Sequence, residues 1–205
     1  MMKEFWNQRY SAANYAYGKE PNNWLAEQLK FLQPGRILLP AEGEGRNAVY
    51  AARLGWQVQA FDMSEQGKAK ALALAAEHGV SIEYTITTAD AAEYPAQSFD
   101  AIALIYAHFH SAVRTGLHRK WVQWLKPGGV IILEGFSQNN LTHRQANPGV
   151  GGPADVELLY TPADIASDFA ALQTIELSEQ VIELSEGDFH VGQGSVVRYT
   201  GRLQA

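Results

Sequence analysis

The chain has 205 residues, of which 46% are apolar and 19% charged, enough apolar material for one core of ordinary size. A formal charge of −6, from 16 Lys and Arg against 22 Asp and Glu, opposes general binding of a phosphate polyanion and weighs against nucleic acid as a partner. The absence of Cys excludes a disulfide framework, a thiolate nucleophile and a Cys-ligated metal, and no apolar run approaches the ~20 residues of a membrane span; a cytoplasmic protein with no metal site is expected.

Residues 22–135 alternate amphipathic stretches with short apolar runs, the rhythm of a parallel sheet with crossover helices. A helix over 22–33 places Leu25, Leu29 and Leu32 on one side and stops at Pro34-Gly35; strand 1 is expected over 36–39. Ala48, Ala51, Ala52 and Leu54 mark the next helix, closed by Gly55, and strand 2 covers 57–61 with Asp62 at its end. Ser64 suits the N-cap of a third helix, with Ala69, Leu72, Ala73 and Ala76 as its stripe and Gly79 after it. Strand 3 is expected over 81–86, and strand 4 over 101–105, uncharged as befits a strand covered on both faces. A helix carrying Val113, Leu117, Trp121, Trp124 and Leu125 leads to a Lys126-Pro127-Gly128-Gly129 turn and to strand 5 over 130–133. The Gly-, Pro- and Asn-rich stretch 135–160 reads as a substrate-side loop. Thr161-Pro162 opens one short helix. The segments 173–184 and 195–203, joined through Gly187, Gly192 and Gly194, resemble an antiparallel hairpin more than another crossover unit. These divisions give one domain over 1–205: an N-terminal helical lid segment (1–33), a cofactor-binding core (34–135), and a substrate-side loop with C-terminal hairpin (136–205).

Gly43-Glu44-Gly45-Arg46-Asn47-Ala48 sits where strand 1 gives way to a helix, a place where glycines let backbone approach a nucleotide. Alone the pattern equally describes a tight turn. Asp62 shifts the balance, because an acid at the tip of strand 2 is placed to accept hydrogen bonds from ribose hydroxyls. Glu42 and Glu44 in the loop would repel a dinucleotide pyrophosphate but favour a cationic ligand such as S-adenosylmethionine. Taken singly, each reads as a solvated loop charge.

The ordered recurrence of Glu42-Gly43-Glu44-Gly45-Arg46-Asn47, Asp62, Asp90, Phe99-Asp100 and Leu125-Lys126-Pro127-Gly128-Gly129 resembles the class I S-adenosylmethionine-dependent methyltransferases. The Phe5-Trp6-Asn7-Gln8-Arg9-Tyr10 start and Glu134-Gly135-Phe136 are similar to the tellurite-resistance and thiopurine methyltransferase-like group. The resemblance covers nearly the whole chain and implies a Rossmann-like, doubly wound α/β fold, a seven-stranded sheet with an antiparallel last strand. It implies cofactor contacts at Tyr17, the Glu42, Gly43, Glu44, Gly45 and Asn47 loop, Asp62 with Met63, Asp90 with Ala91, and Tyr106. It also implies an N-terminal lid around Trp6, Arg9, Tyr10, Tyr15 and Tyr17-Gly18. The chain departs from the group at Leu39 and Ala41, where an acid and a glycine are usual, and Glu42 stands nearest as a substitute for that acid.

On the acceptor side, Tyr106-Ala107-His108-Phe109-His110 leaves strand 4 at the sheet's ligand edge. Tyr106, His108 and, by the resemblance, His190 are the candidate catalytic residues; strand alternation lets at most one of His108 and His110 face the site. Arg144 and Arg198 are candidate anion anchors, ordinarily solvated. The base-methylating Asn/Asp-Pro-Pro-aromatic pattern is missing there, again against nucleic acid. The expected function is methyl transfer to a small molecule, a soft anion or thiol, by a monomer or homodimer. An NAD(P)-dependent oxidoreductase is the enzymatic alternative, since Gly43-x-Gly45-x-x-Ala48 also fits a dinucleotide fingerprint. A non-catalytic S-adenosylmethionine-binding protein is the other.

Overall fold

The computed structural model describes residues 2–204. Its frame is a parallel set of strands, β1 (Arg36–Pro40), β2 (Gln57–Asp62), β3 (Glu83–Ile86), β4 (Phe99–Ile105) and β5 (Leu125–Phe136). Ile37 and Leu39 face one side of the sheet and Leu38 the other, all fully buried, which explains why these strands read as unbroken apolar runs. A hairpin of β6 (Gln173–Glu186) and β7 (His190–Arg202) completes a seven-stranded sheet ordered β3-β2-β1-β4-β5-β7-β6, with β7 antiparallel to both neighbours.

Helices cover both faces. On one, α2 (Asn23–Leu29) and α3 (Arg46–Arg53) pack Trp24, Leu25 and Ala48 against Ile37, Leu39, Ala101 and Ile132. On the other, α5 (Ser111–Trp124) and α7 (Pro162–Asp168) bring Trp121, Trp124 and Ile165 to Leu38, Ile102, Leu104 and Leu133. Two predicted caps are present: the Ser64 hydroxyl accepts from Gly67 N–H at 3.0 Å at the start of α4 (Glu65–Glu77), and Thr161 and Asp164 form a reciprocal capping box on α7.

Four expectations change. The first helix is shorter than 22–33, because Asn22 caps it through Leu25 N–H at 3.0 Å and the chain leaves it at Lys30. Lys126-Pro127-Gly128-Gly129 lies within β5 as an irregularity: Leu125 pairs with Phe99 and Val130 with Ala101, so the intervening residues bulge, with Gly128 at φ 81°. The 135–160 stretch is not structureless, since it folds into α6 (Asn140–Ala146) and two single 3₁₀ turns. In the hairpin, Gly192 and Gly194 sit inside β7 rather than in the connection. The N-terminal helix α1 (Met2–Arg9) packs on α4, where the Asn7 side chain accepts from the Ser64 hydroxyl at 2.7 Å.

Candidate functional site

The strand order reverses between β1 and β4, and ligands of open α/β sheets bind beyond the carboxyl ends of strands at such a switch point. Each of these strands runs out into a non-glycine residue with positive φ, Ala41 at 53° after β1 and Tyr106 at 52° after β4. Such backbone costs on the order of 1–3 kcal/mol and collects at functional sites. Ala41 occupies the position where the resembled enzymes carry glycine, so the departure keeps the turn while adding a methyl.

The loop after Ala41 is built on carboxylates. One oxygen of Glu42 accepts from the first turn of α3, Asn47 N–H at 2.9 Å and Ala48 N–H at 2.7 Å, while burial pushes its carboxyl up to about 7. Asp62 is buried; its carboxylate accepts from Gly43 N–H at 3.1 Å and Ser64 N–H at 2.8 Å, and burial outweighs these bonds to raise its pKa. Glu44 instead pairs with Lys70 at 2.7 Å and accepts from Ala16 N–H at 2.8 Å, so it fastens the N-terminal segment to α4. The Asn47 side chain accepts from Asn22 N–H at 2.9 Å, likewise serving the chain itself. A Cβ on Gly43 would meet the Tyr10 hydroxyl at 2.6 Å and one on Gly45 would meet Ala71 at 2.5 Å, so internal packing alone demands both glycines. Tyr10, Tyr17, Gly18, Glu42, Glu44 and Arg46 enclose a cavity of about 30 Å³ over the loop, room for a water molecule. The cavity as it stands is too small for a nucleoside.

At the far end of the switch point, the Tyr106 and His190 rings meet at 4.5 Å, with Phe136 against both and Tyr17 4.5 Å from His190. His190 is buried, which lowers its pKa despite the bond from Nδ1 to Glu186 at 2.9 Å; among the described residues Nε2 makes no hydrogen bond. His108 departs from expectation. Its Nδ1 donates to the Leu158 carbonyl at 2.8 Å and its Nε2 accepts from Phe136 N–H at 3.2 Å, which fixes a neutral ring, and burial lowers its pKa to about 4. With both nitrogens committed, His108 offers no base to a substrate; it ties β5 to the 135–160 region. His110 caps α5 by accepting from Ala112 N–H at 3.2 Å.

Behind the ring pair runs a charged network that sequence reasoning missed. Glu134, 1% exposed, accepts from Arg198 at 2.6 Å, the Tyr106 hydroxyl at 2.9 Å and the Asn22 side chain at 2.6 Å. Glu186 accepts from Arg46 at 3.0 Å and from Asn22 at 3.3 Å, and hydrogen bonds with His190 and Arg46 hold its carboxyl at about 2 although burial opposes ionisation. Two carboxylates thus face two guanidiniums, and the network joins the N-terminal segment, the glycine loop, β4, β5 and the hairpin.

Comparisons with known proteins settle the class of chemistry. Residues 37–129 match a family model described as a methyltransferase domain. A thiopurine S-methyltransferase of Legionella pneumophila is 23% identical over 98% of this chain and 96% of its own length. A ubiquinone biosynthesis O-methyltransferase of Parvibaculum lavamentivorans is 31% identical over 60% of this chain and 46% of its own. Among solved structures, TehB from Haemophilus influenzae superposes with a TM-score of 0.73 at 15% identity, covering 98% of this chain and 67% of that one. The chain is an S-adenosylmethionine-dependent methyltransferase. It resembles the thiopurine and tellurite-resistance group, and its sheet is that of the class I enzymes.

The donor set at the loop of this methyltransferase fits S-adenosylmethionine: the two carboxylates Glu42 and Asp62 with the Tyr10 and Tyr17 hydroxyls suit ribose hydroxyls and a cationic sulfonium and ammonium, and would oppose a pyrophosphate. Met63 stands half-buried beside Asp62, whereas Asp90 and Ala91 are exposed on the turn after β3, where the Thr88 hydroxyl holds the Asp90 carboxyl below its ordinary value. Arg144 donates to the Gly152 carbonyl at 3.2 Å and Arg198 is committed to Glu134, so neither expected anion anchor is free. Among the described residues no helix is long and apolar enough to cross a membrane.

If Asp62 accepts from the ribose, Asp62→Ala weakens S-adenosylhomocysteine binding by about 1–3 kcal/mol, the cost of a buried hydroxyl left unpaired. The exposed Glu93 is the control. Titration calorimetry on the folded variants checks this, and superimposable curves for wild type and Asp62→Ala would remove Asp62 from the site.

Proposed function

We propose that this methyltransferase acts on a small acceptor that arrives already anionic, a thiolate or an oxyanion, and needs no proton removed. The observation that carries this is the state of the acceptor-side histidines: His108 is locked neutral by two hydrogen bonds, and burial weakens His190 as a base. When bound, S-adenosylmethionine supplies a methyl on a cationic sulfur, and its displacement by an anion depends on alignment and exclusion of water more than on acid-base help. In this reading Asp62 receives the ribose, the open oxygen of Glu42 receives the methionine ammonium, and Tyr106, His190 and Phe136 wall the acceptor. Residues 34–135 then serve the donor and 136–205 the acceptor, within one domain, with Tyr17 closing over both. The 23% identity with a thiopurine S-methyltransferase along nearly the whole length supports a sulfur or similarly soft acceptor.

S-adenosylhomocysteine at ~100 times its dissociation constant should add about 2.7 kcal/mol of stability. For a chain of this size that is a rise in melting temperature of roughly 5–10 °C, with none for NAD(H) or NADP(H). A shift with NAD and none with S-adenosylhomocysteine would refute the donor assignment. Turnover on 4-nitrothiophenol, tellurite and catechol, followed against pH, tests the acceptor class. Thiolate or oxyanion methylation without a limb near the histidine pKa of about 6.5 is expected, and activity confined to catechol with such a limb overturns it.

A further inference from the structure

Three arginines stand about the site, and two are paired: Arg46 with Glu186 and Arg198 with Glu134. The third, Arg9 at the end of α1, has no carboxylate partner within ion-pair distance among the described residues. The hydrogen bond it makes is a long one, from Nη1 to the Tyr17 hydroxyl at 3.4 Å. Its guanidinium lies 3.8 Å from the centre of the Phe189 ring and 5.3 Å from that of Phe5. The ring of Tyr17 is 6.1 Å from Phe189 and 4.5 Å from His190, so the arginine stands at the outer end of the ring cluster that walls the acceptor. The neighbouring carboxylate, Asp188, is bound to the Asn14 side chain.

A guanidinium has five N–H donors in a rigid plane, and the contact with Tyr17 uses one of them. Stacking on aromatic faces holds the plane in place without consuming the remaining donors, a geometry matched to a flat two-oxygen anion. We propose that Arg9 is a specificity-determining residue that grips a carboxylate, or an equivalent planar oxyanion group, on an aromatic or conjugated acceptor whose reacting atom points inward to His190 and Tyr106. The ring of that acceptor continues the Phe5, Phe189 and Tyr17 surface, and its charge answers Arg9, which has no carboxylate partner among the described residues. This rests on the acceptor placement proposed above and adds to it a second anionic group, remote from the reacting atom.

Benzoate and benzamide are near-isosteric probes that differ in charge. Calorimetric titration of each into the full chain, with and without saturating S-adenosylhomocysteine, is made on wild type, Arg9→Gln, Arg9→Lys and the exposed control Arg119→Gln. Wild type and Arg119→Gln are expected to prefer benzoate about tenfold, the worth of one charge-assisted hydrogen bond. Arg9→Gln brings the ratio near one, and Arg9→Lys falls between. Equal ratios in wild type and Arg9→Gln overturn the proposal, as does a tenfold loss of S-adenosylhomocysteine affinity in Arg9→Gln, which would assign Arg9 to the methionine carboxylate. Failure of the donor reading is seen separately, as wild type that binds no S-adenosylhomocysteine; the benzoate preference without it still decides the role of Arg9.

Discussion

Replacing Glu134 by Ala should destabilise the fold by about 3–5 kcal/mol, the usual cost of breaking a buried ion pair from one side. The substitution leaves Arg198 charged and uncompensated, strips the Tyr106 hydroxyl of its acceptor, and leaves the Asn22 side chain with the longer bond to Glu186 alone. At roughly 2–4 °C per kcal/mol for a chain of this size, the melting temperature falls by about 6–20 °C. Glu134→Gln should lose less, because the amide oxygen still accepts. Urea or thermal unfolding measures both, and a loss below about 1 kcal/mol for Glu134→Ala would show that the network is not a supporting element. Glu134 also holds the Tyr106 hydroxyl, so if Tyr106 walls the acceptor as proposed, methyl transfer by the folded variant should fall beyond what its stability explains.

The second large effect concerns Glu42. Its folded-state pKa of about 7 lies above the ordinary 4.5, so between those values the folded chain holds a proton that the unfolded chain has released. Stability from this group is therefore complete below about pH 4.5 and is lost as pH rises toward 7 and beyond. Glu42→Gln keeps an acceptor for Asn47 and Ala48 N–H and removes the charge. Since the side chain is not wholly sealed from water, the gain is discounted to about 1–2 kcal/mol at pH 8, or roughly 2–8 °C, with almost none at pH 5. The same variant should bind S-adenosylhomocysteine more weakly, and the wild-type affinity should rise with pH through about 7, because an ammonium favours the ionised form. Melting curves at the two pH values and titrations across the range check both. A gain over wild type that is no larger at pH 8 than at pH 5 removes the charge from the account.

The sheet was legible because its strands announce themselves locally. Residues 101–105 carry no charge, and the turn residues at Gly55 and Gly79 bracket their helices at the observed ends. Asp62 was legible for the same reason, lying where an apolar run stops. Glu134 and Glu186 were not, because their partners Asn22, Arg46 and Arg198 are 64 to 164 residues away and no local pattern states the pairing. One signal was present, a lone Glu at the end of the otherwise apolar strand 130–133, where an acid needs a cation. His108 shows the opposite limit. Its position in the sheet was readable, while its two bonds to Leu158 and Phe136 depend on how the 135–160 region folds back, and that region was read as loop.

Among the described residues β6, 14 residues long, pairs on one side alone, so the backbone donors and acceptors of alternate residues face outward, a template on which another chain can build. Glu176, Glu179 and Glu183 are exposed along it, with no Lys or Arg in the strand. Two such edges joined antiparallel about the midpoint between Glu179 and Gln180 would set Glu176 against Glu183 twice, like charge directly opposite like. The molecule therefore carries its own guard against edge-to-edge aggregation, one made of charge rather than bulk, and weakened by whatever neutralises or screens those carboxylates.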